Sequence, residues 1–122
     1  MSGIKHIEFW VSDLDKSLLF YKTLFNIIGW EQYETNGFRC GMTKIYFLEK
    51  EVLFNENIGP RHICFEADSI EILTRILELL KLNNLQIIRG PIEYTHKGNT
   101  AHTIDFKDRD GYIIEVATRS HK

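Results

Sequence analysis

One short pattern, a basic residue followed by His, Ile and, two positions on, Phe, occurs twice at a constant offset. It reads Lys5-His6-Ile7-Glu8-Phe9 near the start and Arg61-His62-Ile63-Cys64-Phe65 in the middle. A repeat of this period restricts the chain to two copies of one supersecondary unit, because each copy has to fold under the same local rules. Both copies run on into helical periodicity. Ser12-Asp13 offer side-chain oxygens to cap a helix, and Leu14, Leu18, Tyr21, Leu24, Phe25 and Ile28 follow at three- and four-residue spacing before Gly29 stops it. In the second copy Asp68-Ser69 take the capping position, Leu73, Ile76, Leu77 and Leu80 form the stripe, and Asn83-Asn84 end it.

Short strand-like runs follow each helix. The first copy offers Trp30–Glu34, Phe38–Met42 and Lys44–Leu48, with turns at Asn36-Gly37 and near Thr43. The second offers Leu85–Ile88, Thr100–Phe106 and Tyr112–Ala117, with Asp110-Gly111 as the last hairpin turn. Residues Arg89 to Asn99, carrying Gly90, Pro91 and Gly98, read as a long loop, and Gly59-Pro60 as the linker between copies. The fold class expected is α+β: two βαβββ modules, about 4–50 and about 61–118, whose curled mixed sheets enclose a central cavity.

Alternation along the strands decides which side chains share a face. Ile7, Phe9 and Val11 are apolar and belong under the helix, which leaves His6, Glu8 and Trp10 on the other face. Ile63, Phe65 and Ala67 oppose His62, Cys64 and Glu66 in the same way, and Ile114 and Val116 oppose Glu115. A sheet that is apolar toward its helix and carries His, Glu, Cys and Trp on the other side has the pattern of a pocket wall.

Composition narrows the partners. With 122 residues, 43% apolar and 26% charged, the chain suits one compact domain. A net charge of −2 gives no electrostatic reason to expect nucleic acid or an anionic membrane. No apolar run reaches the roughly 20 residues of a membrane span, and the pattern begins too early to leave room for a signal peptide. Cys40 and Cys64 stand far apart with no paired-cysteine motif, as expected of a protein in the reducing cytoplasm.

Three stretches, IKHIEFWVSDLDKSLLFYKTLF, GPRHICFEAD and FKDRDGYIIEVA, in this order and with this repeat, resemble the vicinal oxygen chelate superfamily. Its members include glyoxalase I, bleomycin-binding proteins, fosfomycin-resistance enzymes, methylmalonyl-CoA epimerases and extradiol dioxygenases. The resemblance implies metal ligands on the first and last strands of each module. Matched by position they are His6, His62 and Glu115, with Tyr46 where glyoxalase I has a fourth, carboxylate ligand; Glu49 is nearby but on the opposite parity. Two imidazoles and a carboxylate suit one divalent ion, Fe, Mn, Zn, Ni or Co, and leave positions for water and substrate.

Glu115 is then also a catalytic candidate. So is His96, by resemblance to the loop histidine that serves extradiol dioxygenases as acid and base. Parity adds Glu8, Trp10, Lys44, Tyr46, Cys64 and Asp105 as residues facing the substrate, together with Glu66. His102 has the wrong parity for that face, and Cys64 reads as a small thiol with no cation in view to activate it.

Three functions remain. The first is a metal-dependent lyase or isomerase acting on a small oxygenated substrate chelated to the ion. An extradiol-type Fe(II) dioxygenase and a non-catalytic ligand-sequestering protein of bleomycin-resistance type are the alternatives. Glyoxalase I itself is disfavoured by Tyr46 and by Trp10, which stands where that enzyme carries an arginine. The partners expected are a small-molecule substrate and a second copy of the chain in a homodimer, with no nucleic acid and no membrane.

Overall fold

The computed structural model describes residues 3–51 and 62–120. The chain forms two compact units, Met1–Asn55 and Glu56–Lys122. Gly59-Pro60, read as a linker, lies outside the described residues.

The first unit contains β1 (His6–Val11), α1 (Leu14–Ile28), β2 (Glu31–Glu34), β3 (Gly37–Cys40) and β4 (Thr43–Glu49). Its sheet has the order β1-β4-β3-β2, with β1 and β4 parallel and the rest antiparallel. Helix α1 starts where the Asp13 carboxylate accepts from the Lys16 N–H at 3.0 Å, and ends at Gly29, whose φ of 91° is left-handed. The buried stripe is Ser17, Phe20, Tyr21, Leu24, Phe25 and Ile28. Tyr21 and Phe25 meet Phe47 and Phe38 of the sheet with ring centroids 4.5 and 4.8 Å apart. Each such ring contributes about 1.5–3 kcal/mol by leaving water.

The second unit contains β5 (Ile63–Ala67), α2 (Ile70–Leu82), β6 (Ile87–His96), β7 (Asn99–Lys107) and β8 (Ile113–Thr118). Its sheet order, β5-β8-β7-β6, repeats the first, again with the first and last strands of the unit parallel. Leu73, Ile76, Leu79 and Leu80 of α2 are buried, as are Phe65, Ile104, Phe106, Ile114 and Val116 of the sheet. Ser69 occupies the α2 cap position without a side-chain bond to the helix, so the capping expected of Asp68-Ser69 is not made there by Ser69. At the end of β7, the buried Asp108 accepts from the N–H groups of Asp110 and Tyr112 at 3.0 and 2.9 Å, shaping the turn that carries Gly111 into β8.

The stretch read as a long loop, Arg89 to Asn99, is instead strand. Strand β6 continues to His96 and turns through Lys97 and Gly98, with φ of 51° and 78°, the two positive values that a tight hairpin turn uses. Gly90 and Pro91 look like breakers, yet they sit in an irregular stretch where the β6–β7 register shifts twice between Ile87 and Ile92. Because β6 is the sheet's edge, a proline there takes no bond from a neighbour on the far side. The turns in the first unit also fall slightly off expectation: β3 ends at Cys40, and Gly41-Met42 make the link to β4.

Candidate functional site

In both sheets the face turned away from the helix is the polar one. Along β1, His6, Glu8 and Trp10 are exposed while Phe9 and Val11 are buried; along β5, Cys64 and Glu66 are exposed while Phe65 and Ala67 are buried. The registers match as well. Cys64 stands opposite Glu115 in the β5–β8 ladder, and Glu8 stands opposite Tyr46 in the β1–β4 ladder. Tyr46 is therefore the topological counterpart of Glu115. Glu49 has no bulge to bring it round to that face, and its Oε1 instead accepts from the Leu14 N–H of α1 at 3.1 Å.

The second sheet gathers the densest polar group. His62, one residue ahead of β5, places Nε2 3.1 Å from Glu115 Oε1. The other carboxylate oxygen of Glu115 accepts from the Thr103 hydroxyl at 2.6 Å. Thr103 is 2% exposed, so this oxygen is held from inside the sheet while the His62 side stays open to solvent. Asp105 stands beside Glu115 in register and Arg89 beside Asp105. Arg89 Nε is 3.4 Å from Asp105 Oδ1, an ion pair without the alignment of a hydrogen bond. Thr103 is the residue that sequence reading missed; the parity that picked out Asp105 places Thr103 on the same face of β7.

Cys64 Sγ lies 3.7 Å from the Phe65 carbonyl oxygen and against the Glu115 carboxylate. Partial burial, then the negative charge and hydrogen bonding of Glu115, push the thiol up to about 12. Burial is the largest cause, and the Glu115 carboxylate adds to it by its charge and its hydrogen bond. The group is a neutral thiol near pH 8, and iodoacetamide is expected to label Cys64 more slowly than Cys40, although both are free and exposed. Removing the charge with Glu115→Gln moves the thiol back toward its ordinary range. Labelling of Cys64 should then speed up by about three- to tenfold. Equal rates in wild type and variant, followed by peptide mass analysis, would contradict this coupling.

On the first sheet, His6 packs edge-on against Tyr46 with centroids 5.6 Å apart. Trp10 donates from Nε1 to Glu8 Oε2 at 2.7 Å. Lys44 stands opposite His6 in register. His96 is on the exposed tip of the β6–β7 hairpin, opposite Asn99 and stacked on Tyr94. Asn99 is six residue steps along β7 from Asp105, the neighbour of Glu115, which is about 20 Å of strand.

His62 and Glu115 are two donors of the type, and at the spacing, that one divalent cation takes. Two ligands bound to one ion at about 2.1 Å stand roughly 3.0–3.4 Å apart, the separation already present between Nε2 and Oε1. Thr103 orients the Glu115 carboxylate by a hydrogen bond of the kind that holds metal-ligating carboxylates in place. Among the described residues no three His, Cys, Asp or Glu side chains converge as a cluster able to hold an ion.

The sequence model of the Glyoxalase/Bleomycin resistance protein/Dioxygenase superfamily matches residues 3–116. The chain belongs to this superfamily. The solved structures that resemble this glyoxalase-superfamily chain agree on the fold. A glyoxalase/bleomycin resistance protein from Albidiferax ferrireducens T118 has a TM-score of 0.75 at 18% identity, covering 95% of this chain and 98% of its own. A glyoxalase/dioxygenase from Nostoc punctiforme gives 0.73 at 19% identity, over 98% of this chain and 92% of its own. A glyoxalase/bleomycin resistance protein/dioxygenase family enzyme from Burkholderia phytofirmans PsJN gives 0.72 at 16% identity, over 96% and 98%. A search of curated proteins found no match. Among the described residues no helix is long and apolar enough to cross a membrane.

Proposed function

We propose that this superfamily member is a divalent-metal-dependent enzyme, a lyase or isomerase acting on a small oxygenated substrate. The observation that carries the reading is the His62–Glu115 pair at 3.1 Å, backed by the buried Thr103 hydroxyl. His62 and Glu115 would hold the ion, and His6 is the third ligand carried over from the superfamily. A bound ion there supplies Lewis acidity, polarising a carbonyl or stabilising negative charge on oxygen. The protein's part is positional. Thr103 fixes one oxygen of Glu115 and so leaves the other directed at His62 and the open face. Cys64 stands opposite Glu115 in the ladder and lines the same face. Asp105 is kept in place by Arg89 and adds a carboxylate able to accept a substrate hydroxyl. The dioxygenase alternative leans on His96 as acid and base, and the span of β7 between the hairpin tip and Glu115 weighs against it. In this reading the chain works as a cytoplasmic homodimer on a freely diffusing small molecule.

The test is reconstitution. Protein stripped of metal is loaded anaerobically with Fe(II), Mn(II), Ni(II) or Zn(II) and offered catechols, 2-oxoaldehyde–thiol adducts and fosfomycin. Turnover without O2, supported by Zn(II) or Ni(II), is the expected outcome, because only Lewis acidity is needed. O2 uptake with catechol, restricted to a redox-active metal, would replace the reading by the dioxygenase one. Ligand binding against Trp10 and Tyr46 with no turnover under any metal would replace it by sequestration. Sedimentation as a single chain at micromolar concentration removes the dimer.

A further inference from the structure

The polar face of the first sheet is built differently from that of the second: two phenols and two cations meet there, beside the carboxylates of Glu8 and Glu31. Tyr33 of β2 and Tyr46 of β4 meet hydroxyl to hydroxyl, with ring centroids 6.1 Å apart. Gly37 makes room for them, since a Cβ there would stand 3.2 Å from each ring. Arg39 and Lys44 flank the same Tyr33 ring, with Cζ 5.2 Å and Nζ 5.6 Å from its centroid. These are cation–π distances that fix where each charge sits. Arg39 is neutralised by Glu31 at 3.0 Å. Lys44 is half-buried and makes no ion pair among the described residues. Glu8, the carboxylate nearest along the ladder, is engaged by Trp10.

We propose that Lys44, Tyr33 and Tyr46 form a subsite for a small carboxylate. An ammonium held over an aromatic ring beside a bonded pair of phenol hydroxyls offers one positive charge and the one O–H that the pair leaves free, which together suit an oxyanion. Tyr33 is pushed up to about 12 by burial and by its bond to Tyr46, so the phenol pair stays neutral through the physiological range and does not repel an anion. Arg39 and Lys44 share this face with Glu8 and Glu31, so the two carboxylates offset the two cations. Lys44, the cation outside an ion pair among the described residues, favours a monoanion over a phosphate dianion. The subsite lies wholly within the first unit and does not depend on the metal reading.

The experiment is an amide NMR titration of the metal-free full chain with acetate, with sodium chloride and inorganic phosphate as comparison arms. Acetate is expected to give saturable shifts confined to residues around Tyr33, Lys44 and Tyr46, with phosphate weaker and chloride without effect. Lys44→Met keeps the alkyl stem and should weaken acetate binding about tenfold or more, while Lys44→Arg keeps it within a few-fold. Lys81→Met, on α2 of the other unit, should leave it unchanged. The proposal is overturned if acetate shifts are linear and scattered, if phosphate binds tighter, or if Lys44→Met binds acetate as wild type does. Because no metal is present, none of these outcomes bears on the catalytic reading.

Discussion

Substituting alanine for Glu115 or His62 is expected to lower the affinity for Zn(II) by about 100-fold or more, while the metal-free protein melts close to where wild type does. The two halves of this expectation have separate causes. Removing a hydrogen-bonded outer partner of a metal ligand already weakens sites by about 10–100-fold, and removing a ligand itself exceeds that. Stability is set elsewhere, by the helix-facing core of Phe65, Leu73, Ile76, Leu80, Ile104 and Phe106. The His62 side chain is 39% exposed, and among the described residues its ion-pair contact is to Glu115. Loss of Glu115 releases the Thr103 hydroxyl, but Thr103 still has the Val116 carbonyl oxygen at 3.3 Å to donate to. The apo-state penalty is therefore about 1 kcal/mol. A ligand that binds only the folded state adds about 2.7 kcal/mol at roughly 100 times its Kd. Wild type should therefore gain melting temperature on adding Zn(II), and Glu115→Ala and His62→Ala should not. His6→Ala is expected to behave as they do, as the third donor. Calorimetric titration and thermal melts with and without ion measure both quantities. A wild type that gains nothing from any divalent ion would sink the metal reading, and a His6→Ala protein that gains as much as wild type would remove His6 from the ligand set.

The parts of this molecule that were legible in advance are those governed by periodicity. The alternation in His6–Val11 and Ile63–Ala67 assigns the two faces of each sheet without reference to anything distant, and the structure buries Phe9, Val11, Phe65 and Ala67 accordingly. Tyr46 could be matched to Glu115 because both follow from a repeat with the same strand register. What sequence could not supply was the outcome of competing local signals. Gly90-Pro91 carries a strong turn signature, yet long pairing between β6 and β7 outweighs it and confines the irregularity to a register shift at the sheet's edge. Tyr33 sits in Glu-Gln-Tyr-Glu, a segment with no apolar alternation, so its place over Gly37 beside Tyr46 depends on the hairpin register alone. Thr103 lies between His102 and Ile104 in a strand whose polar residues occur on both faces. Its bond to Glu115 emerges only from the diagonal geometry of β7 and β8.

The largest loss of stability is expected from a single added methyl group, Gly90→Ala. Two terms act at this position. The backbone there has φ of 91°, a conformation that costs an L-residue about 1–2 kcal/mol. In addition, a Cβ would fall 2.3 Å from the Thr103 carbonyl oxygen and 3.1 Å from Ile104 Cα. Both are atoms of β7, the central strand between β6 and β8, so they cannot swing aside as a flexible side chain would. Gly111 separates the terms, because it has the same φ of 91° with nothing within 4 Å of the added methyl. Gly111→Ala should therefore show the conformational term alone, about 1–2 kcal/mol in urea denaturation. Gly90→Ala should lose about 3 kcal/mol or more, with the excess coming from displacement of β7. That displacement acts on Thr103, whose hydroxyl holds Glu115, so a folded Gly90→Ala protein should also bind Zn(II) more weakly than Gly111→Ala. If Gly90→Ala were no less stable than Gly111→Ala, the close approach of β6 to Thr103 would be wrong, and with it the mechanical link between the hairpin and the candidate metal site.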